Sequence, residues 1–122
     1  MKKILLIITS ILLFSVYSKA QDLNYYEIDK LGDYTGIHFI ITENSEKVVQ
    51  YYNNFDPTFK TTFYVNNTST WEDENFNYLK FICTSSSGGN VNIILKQSKS
   101  IQFGIIIMEF PLQKKEYLVK LK

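Results

Sequence analysis

The chain has 122 residues, and its 13 basic residues, all of them lysine, against 12 acidic residues give a net charge of +1. This length suits one domain of ordinary size. Proteins that bind nucleic acid normally carry a strongly basic surface and use arginine for paired contacts, so this composition argues against a nucleic-acid partner. The single cysteine, Cys83, cannot form a disulfide within the chain, so packing and hydrogen bonds must hold the fold together.

The first twenty residues have the three-part layout of a secretory signal peptide. Lys2 and Lys3 precede the apolar run 4–16, and Ser18 and Ala20 are small residues placed for a cut after residue 20. The apolar run is shorter than the roughly 20 residues of a membrane-spanning helix. We therefore expect cleavage, and a single exported domain over 21–122 with no membrane span, in the periplasm or outside the cell. That domain has 10 lysines against 12 acidic residues, and the Ile-, Asn- and Lys-rich composition is typical of a bacterial protein.

The rest of the chain shows a repeated alternation of apolar and polar residues, which predicts half-buried β-strands. Short intervals separate the strands, and turn sequences such as "GDYTG" and "SSSGGN" lie in those intervals. This pattern predicts an antiparallel all-β domain of seven or eight strands, either a small closed barrel or a two-layer sandwich. The alternating segments are 25–30, 36–43, 58–65, 78–83, 91–96, 101–110 and 117–122.

Two segments have mixed signals. Residues 45–53 could form a helix capped by Asn44 or Ser45, but the paired β-branched and aromatic residues favour a strand. Residues 70–77 follow two capping-box spacings, in which Ser69 precedes Glu72 and Thr70 precedes Asp73 by three residues. This spacing predicts a short helical turn over 70–77, with acidic residues in its first turn.

The alternation also predicts which side chains face the core. Cys83 is in phase with Leu79 and Phe81, so we expect it to be buried and unpaired. The segment "FGIIIMEF" is almost uniformly apolar, which is typical of an interior strand. Its phase, continued from the apolar residues before it, predicts that Ile105 and Ile107 face the core.

Catalytic and metal-binding patterns are weak in this sequence. The only histidine, His38, is out of phase with the apolar residues around it, and no second histidine or cysteine cluster accompanies it. No spacing typical of a zinc site, a nucleophile elbow or a phosphate-binding loop occurs. We therefore expect no enzymatic activity, no cofactor and no bound metal.

The stretch "TWEDEN" is the best candidate for a ligand-binding site. It places the only tryptophan, Trp71, beside Glu72, Asp73 and Glu74. An aromatic ring next to carboxylates suits a sugar, or a hard cation with oxygen ligands. The structural alternative is a helix start whose acidic residues complement the helix dipole while Trp71 covers the core.

Three classes of function remain open from the sequence. The first is an exported non-catalytic binding domain for a sugar, a lipid or a cell-surface partner. The second is an exported inhibitor or protective protein that acts on another protein, and the third is a small secreted hydrolase. A groove lined by tyrosine and tryptophan would favour the first class, whereas a deep pocket with acidic side chains would favour the third.

Overall fold

The computed structural model describes residues 22–42, 44–53 and 58–121, so the predicted signal peptide lies outside the described residues. Eight antiparallel strands form a closed barrel in which each strand pairs with the next in chain order and β8 pairs with β1. The all-β prediction is confirmed, and the architecture is the barrel. The described residues contain no helix able to cross a membrane. The strands are β1 Leu23–Ile28, β2 Tyr34–Ile41, β3 Lys47–Tyr51, β4 Lys60–Glu72, β5 Phe76–Ser85, β6 Asn90–Ser98, β7 Phe103–Glu109 and β8 Lys114–Leu121.

Side chains from all eight strands fill the barrel interior. On β5 and β6 the buried positions are those that the alternation predicts, because every second residue of these strands is polar or partly exposed. Cys83 is buried and unpaired, as predicted. Burial raises the pKa of its thiol to about 11, which keeps it protonated at neutral pH. The core cluster is Tyr25, Phe39, Ile41, Val48, Phe63, Leu79, Phe81, Cys83, Val91, Ile93, Leu95, Ile106, Met108 and Val119.

The segment 45–53 forms strand β3, so the strand interpretation is confirmed over the helix. Val48 is buried and lies between Ile41 of β2 and Phe63 of β4 in the ladder. Gln50 is also buried, and its Nε2 donates a hydrogen bond to Tyr117 Oη at 3.3 Å. The inward-facing residues of β3 thus place one apolar side chain and one hydrogen-bonded polar side chain in the barrel interior.

The predicted helical turn over 70–77 is wrong. Strand β4 continues to Glu72, residues 73–75 form a turn, and β5 begins at Phe76. The two strands pair through nine registered positions, from Phe63 with Ser85 to Glu72 with Asn77. A local cap contributes about 1 kcal/mol. A helix over these residues would have to give up the tip of this ladder, so the hairpin is favoured.

The predicted phase of β7 is also wrong. Ile106 and Met108 are buried, at 1% and 0% exposure, whereas Ile105 and Ile107 lie on the outer face and are partly exposed. The register with β6 places Ile106 opposite the buried Leu95. Because β7 is apolar in both phases, alternation within the strand could not identify the inner face; its pairing with β6 does.

Alanine substitution at neighbouring positions of β7 tests the corrected phase. Ile106→Ala should lower the free energy of unfolding by about 2–5 kcal/mol, since it removes a fully buried side chain and leaves a cavity. Ile105→Ala is the matched control and should cost clearly less, because its side chain is partly exposed. Urea denaturation of both variants measures the difference. An equal or reversed cost would show that the phase is misassigned.

Gly104 lies at an unusually close approach between β6 and β7. It is buried and pairs with Gln97, and an added Cβ would lie 2.6 Å from the carbonyl oxygen of Lys96. That oxygen belongs to the backbone of the neighbouring strand, so it cannot rotate away as a side chain could. Glycine is therefore required here by the space between two strands.

Gly104→Ala should destabilise the barrel by about 1–3 kcal/mol, the usual cost of forcing extra atoms into a packed region. Gly89→Ala is the control, because an added Cβ there would lie 3.6 Å from Ser85 Oγ, an ordinary contact. Thermal unfolding of the two variants should show a lower midpoint for Gly104→Ala only. Similar midpoints would contradict the close approach.

Candidate functional site

The hairpin of β4 and β5 extends beyond its neighbour on one side. Strand β3 has five residues and pairs with β4 only over Lys60–Tyr64, with one further hydrogen bond from Val65 N–H to Glu46 O. Among the described residues, no strand pairs with 66–72 on that side of β4. The end of β4 is therefore a free edge, although the barrel as a whole is closed.

Trp71 lies on the outer face of this overhanging hairpin. It is the cross-strand partner of Tyr78, and the two rings are stacked with centroids 5.0 Å apart and planes at 4°. β3 begins only at Lys47, opposite Tyr64, so among the described residues no strand lies beside the indole on the side away from Tyr78. Trp71 is 40% exposed, so part of its side chain remains available to a ligand.

Asp73 holds the turn at the tip of the hairpin. Its Oδ1 accepts hydrogen bonds from the backbone N–H groups of Asn75 and Phe76, at 2.9 and 2.8 Å. Its Oδ2 accepts a hydrogen bond from Tyr78 Oη at 2.7 Å. The carboxylate thus fixes both the turn and the position of the tyrosine on which Trp71 stacks.

These hydrogen bonds change the acidity of both partners. The bond from Tyr78, together with the two backbone N–H groups, lowers the pKa of Asp73 because all three stabilise its charged form. The positive charge of Lys96 lowers it further. The same bond to Asp73 raises the pKa of Tyr78, since an ionised tyrosine would have no proton to donate and would face a negative charge.

Glu72 faces away from Trp71, because consecutive residues of a strand point to opposite faces. Its carboxylate forms an ion pair with Lys99 Nζ at 2.7 Å, and Lys99 N–H donates to Asn75 O at 3.0 Å. The 99–102 loop is thereby tied to the hairpin turn. An open depression of about 370 Å³ lies here, lined by Glu72, Asp73, Glu74 and Lys99.

The structure places the four predicted site residues around one hairpin tip but on different surfaces. Trp71 is on the outer face of the barrel, Glu72 is on the other face of β4, and Asp73 and Glu74 are in the turn. Only Asp73 is connected to the aromatic surface, through Tyr78. The interpretation of Trp71 as a core-covering residue at a helix start is wrong, since there is no helix and the ring is exposed.

Strands β5 and β6 contribute further residues to this surface, which local sequence patterns do not identify. Lys96 is the cross-strand partner of Tyr78, and its Nζ lies 4.4 Å from the Phe76 ring centroid and 5.8 Å from that of Tyr78. The outward phase of Tyr78 and Lys96 is visible in the sequence, but their proximity to Trp71 depends on the register of two hairpins. Trp71, Tyr78 and Lys96 form a continuous row across three strands, called here the outer row.

No metal centre is formed by the part of the chain that the structure describes, where no three histidine, cysteine or carboxylate side chains converge. At the hairpin tip, Glu72 is paired with Lys99 and Asp73 already accepts three hydrogen bonds. Both carboxylates serve the fold of the tip, and the outer row is the surface that remains for a ligand.

Comparisons of the chain with protein-family profiles, with curated proteins and with solved structures find no match. The function must therefore be argued from the geometry of the hairpin tip and the outer row.

The hydrogen bond from Tyr78 to Asp73 can be tested by titration. The Asp73 side-chain carboxyl carbon, followed by NMR from pH 2 to 6, should titrate below the usual aspartate value of about 3.9. The pKa of Asp73 is lower in the folded protein than in the unfolded chain. The stability that Asp73 contributes is therefore fully present at a pH above the unfolded-state pKa, and it is lost as the pH falls through the folded-state pKa. Tyr78→Phe should raise the midpoint, whereas Tyr64→Phe on the far part of β4 should not. An unchanged midpoint in Tyr78→Phe would contradict the bond.

Proposed function

We propose that this chain is an exported, non-catalytic binding domain that takes a carbohydrate on the outer row. The observation that carries the proposal is the stack of Trp71 on Tyr78, on a part of β4 that does not pair with β3. The stack holds the indole in a fixed orientation before any ligand arrives. A ring that is already ordered loses little conformational entropy on binding, which favours recognition.

A sugar suits this surface for chemical reasons. The C–H face of a pyranose ring packs on an aromatic ring, while its hydroxyl groups need polar partners at the periphery. Lys96 supplies donors at the end of the row away from Trp71. The Tyr78 hydroxyl in the middle of the row donates to Asp73 and can still accept a hydrogen bond from a sugar hydroxyl. Apolar contact and polar groups therefore lie within one short row, as in most small-ligand sites.

The barrel interior supports an external site over an internal one. Fourteen buried side chains from all eight strands fill the described core, including the large residues Phe39, Phe81 and Met108. A lipid chain would need an apolar cavity of several hundred Å³. Of the ligand classes that the sequence left open, a sugar on the outer surface fits this packing best.

The carboxylates favour binding over hydrolysis. Most glycoside hydrolases need one carboxyl group with a raised pKa that can donate a proton, and a second that acts as base or nucleophile. At this site the pKa of Asp73 is lowered, so it stays ionised at neutral pH and cannot act as the acid. Glu72 is held by Lys99. A small secreted hydrolase is therefore the less favoured candidate.

Export remains part of the proposal and rests on the sequence. Residues 1–20 have the order of charged start, apolar run and small-residue cut that secretory signals share. An exported bacterial domain meets cell-surface and extracellular glycans, which agrees with a carbohydrate ligand.

Intrinsic fluorescence provides a direct binding test, because Trp71 is the only tryptophan in the chain. The mature domain is titrated with cellohexaose, maltohexaose, chitohexaose and hexagalacturonate. At least one should change the emission of Trp71, with a dissociation constant on the order of 1 mM or lower. Calorimetry on Trp71→Ala should show binding weakened by about fivefold or more, since one stacked ring contributes on the order of 1 kcal/mol.

Tyr64→Ala is the matched control, because Tyr64 is another exposed aromatic residue of β4 and lies outside the outer row. It should bind as the unmodified domain does. If none of the four saccharides binds, or if Trp71→Ala binds unchanged, the carbohydrate proposal fails.

A further inference from the structure

The outer row ends in a positive charge with a second one beside it. Lys96 is directly opposite Tyr78 on β6, and Lys80 lies two residues from Tyr78 on the same face of β5. Because Lys80 pairs with Ile94, Lys80 and Lys96 are diagonal neighbours across the two strands. Such neighbours have side chains about 7–8 Å apart at their base. Lys96 Nζ lies on the Phe76 side of Tyr78, so an anionic group that contacts both lysines must draw the flexible Lys96 side chain toward Lys80.

These two lysines differ from Lys99 in how their charge is balanced. Among the described residues, the one ion pair within 4.0 Å joins Lys99 to Glu72. Lys96 instead lies over the rings of Phe76 and Tyr78, and the residue opposite it on β7 is Ile105. Lys80 has Ile94 opposite it on β6. Lys96 therefore stands among aromatic and aliphatic side chains, with Asp73 close enough to feel its charge. Lys80 lies between Ile94 on one side and the polar Ser69 of β4 on the other.

An ammonium group in such surroundings favours an anionic ligand. Aromatic and aliphatic neighbours reduce the local screening by water, so a carboxylate or sulfate gains more from Lys96 than from a fully solvated lysine. The whole domain offers no general attraction for anions, since its 12 acidic residues outnumber its 10 lysines after cleavage. Any preference for an anion must then come from these local charges.

We propose that the ligand of the outer row is an acidic glycan, such as a uronate polymer. One sugar ring stacks on Trp71 and Tyr78, and the carboxylate of the same or the next residue contacts Lys96 and Lys80. This inference rests on the proposed carbohydrate function and specifies the class of sugar. Two features distinguish this site from a simple basic patch: the row combines stacking with charge, and the acidic turn at Asp73 and Glu74 lies beside the Trp71–Tyr78 part of the row, away from Lys96.

Two probes with the same backbone separate stacking from charge. Hexagalacturonate and its fully methyl-esterified form are titrated into the mature domain at 20 and 200 mM salt, with Trp71 emission and calorimetry as readouts. The acidic form should bind about fivefold more tightly or better at low salt, and the difference should shrink at high salt because exposed charges are screened.

Three variants assign that preference to Lys96. Lys96→Met keeps an unbranched side chain over Phe76 and should remove most of the difference between the two probes. Lys96→Arg keeps the charge and should retain it. Lys115→Met removes a lysine that also lies near a ring, Phe110, outside the outer row, and should leave both affinities unchanged. Circular dichroism confirms that each variant is folded.

The possible outcomes separate this inference from the proposed function. Equal binding of the acid and the ester, or binding of a neutral hexasaccharide alone, overturns the acidic preference and leaves the carbohydrate function standing. A preference for the acid that survives in Lys96→Met overturns the assignment to this residue. Binding to vesicles containing an anionic phospholipid, with no saccharide bound, overturns both proposals and identifies a membrane surface as the partner.

Discussion

Pairing between the first and last strands is the constraint on which the rest of the barrel depends. Every other strand pair joins neighbours in the chain, whereas β1 and β8 meet through Tyr25 with Leu121, Tyr26 with Lys120 and Glu27 with Val119. This closure spans almost the whole domain, so it carries the largest loop-closure cost of the eight strand pairs. In return it covers both terminal strands and buries Tyr25 and Val119 in the common core, which removes two edges that could pair with other chains.

The unequal lengths of β3 and β4 leave an aromatic surface accessible on the outside of the closed barrel. Strand β4 has 13 residues and β3 has five, so the hairpin tip continues past its neighbour. A free edge invites pairing with another chain, and the tip counters this in two ways. Asn67 Oδ1 accepts the N–H of Thr68, and the acidic residues of the turn repel a second copy. Exposure of the Trp71 ring and protection of the edge therefore coexist in one hairpin.

The fold could be predicted from the sequence where polar residues mark the outer face. Strands β5 and β6 alternate clearly, and their buried positions, including Cys83, agree with the prediction. In β7 the pattern is ambiguous, because every residue from Gly104 to Met108 is apolar and only pairing with β6 assigns the inner face. The capping-box spacing before Asp73 predicted a helix, although in the structure Asp73 accepts backbone N–H groups of a hairpin turn. Local hydrogen bonds of this kind serve turns and helix starts alike.

In the candidate site, too, local sequence patterns predict some features, whereas others depend on contacts between residues that are distant in the chain. Sequence proximity of Trp71 to three carboxylates suggested that acidic side chains contact the ligand, but strand geometry sends Glu72 to the opposite face, and Asp73 serves the turn. Lys96 belongs to another strand and reaches Tyr78 only through register. Under the proposed function, the charged groups nearest the ligand are lysines, whereas the sequence indicated carboxylates. Glu72 and Asp73 hold the hairpin tip together through Lys99, Tyr78 and the turn. The lysines beside the aromatic surface then remain for the proposed recognition of a charged ligand.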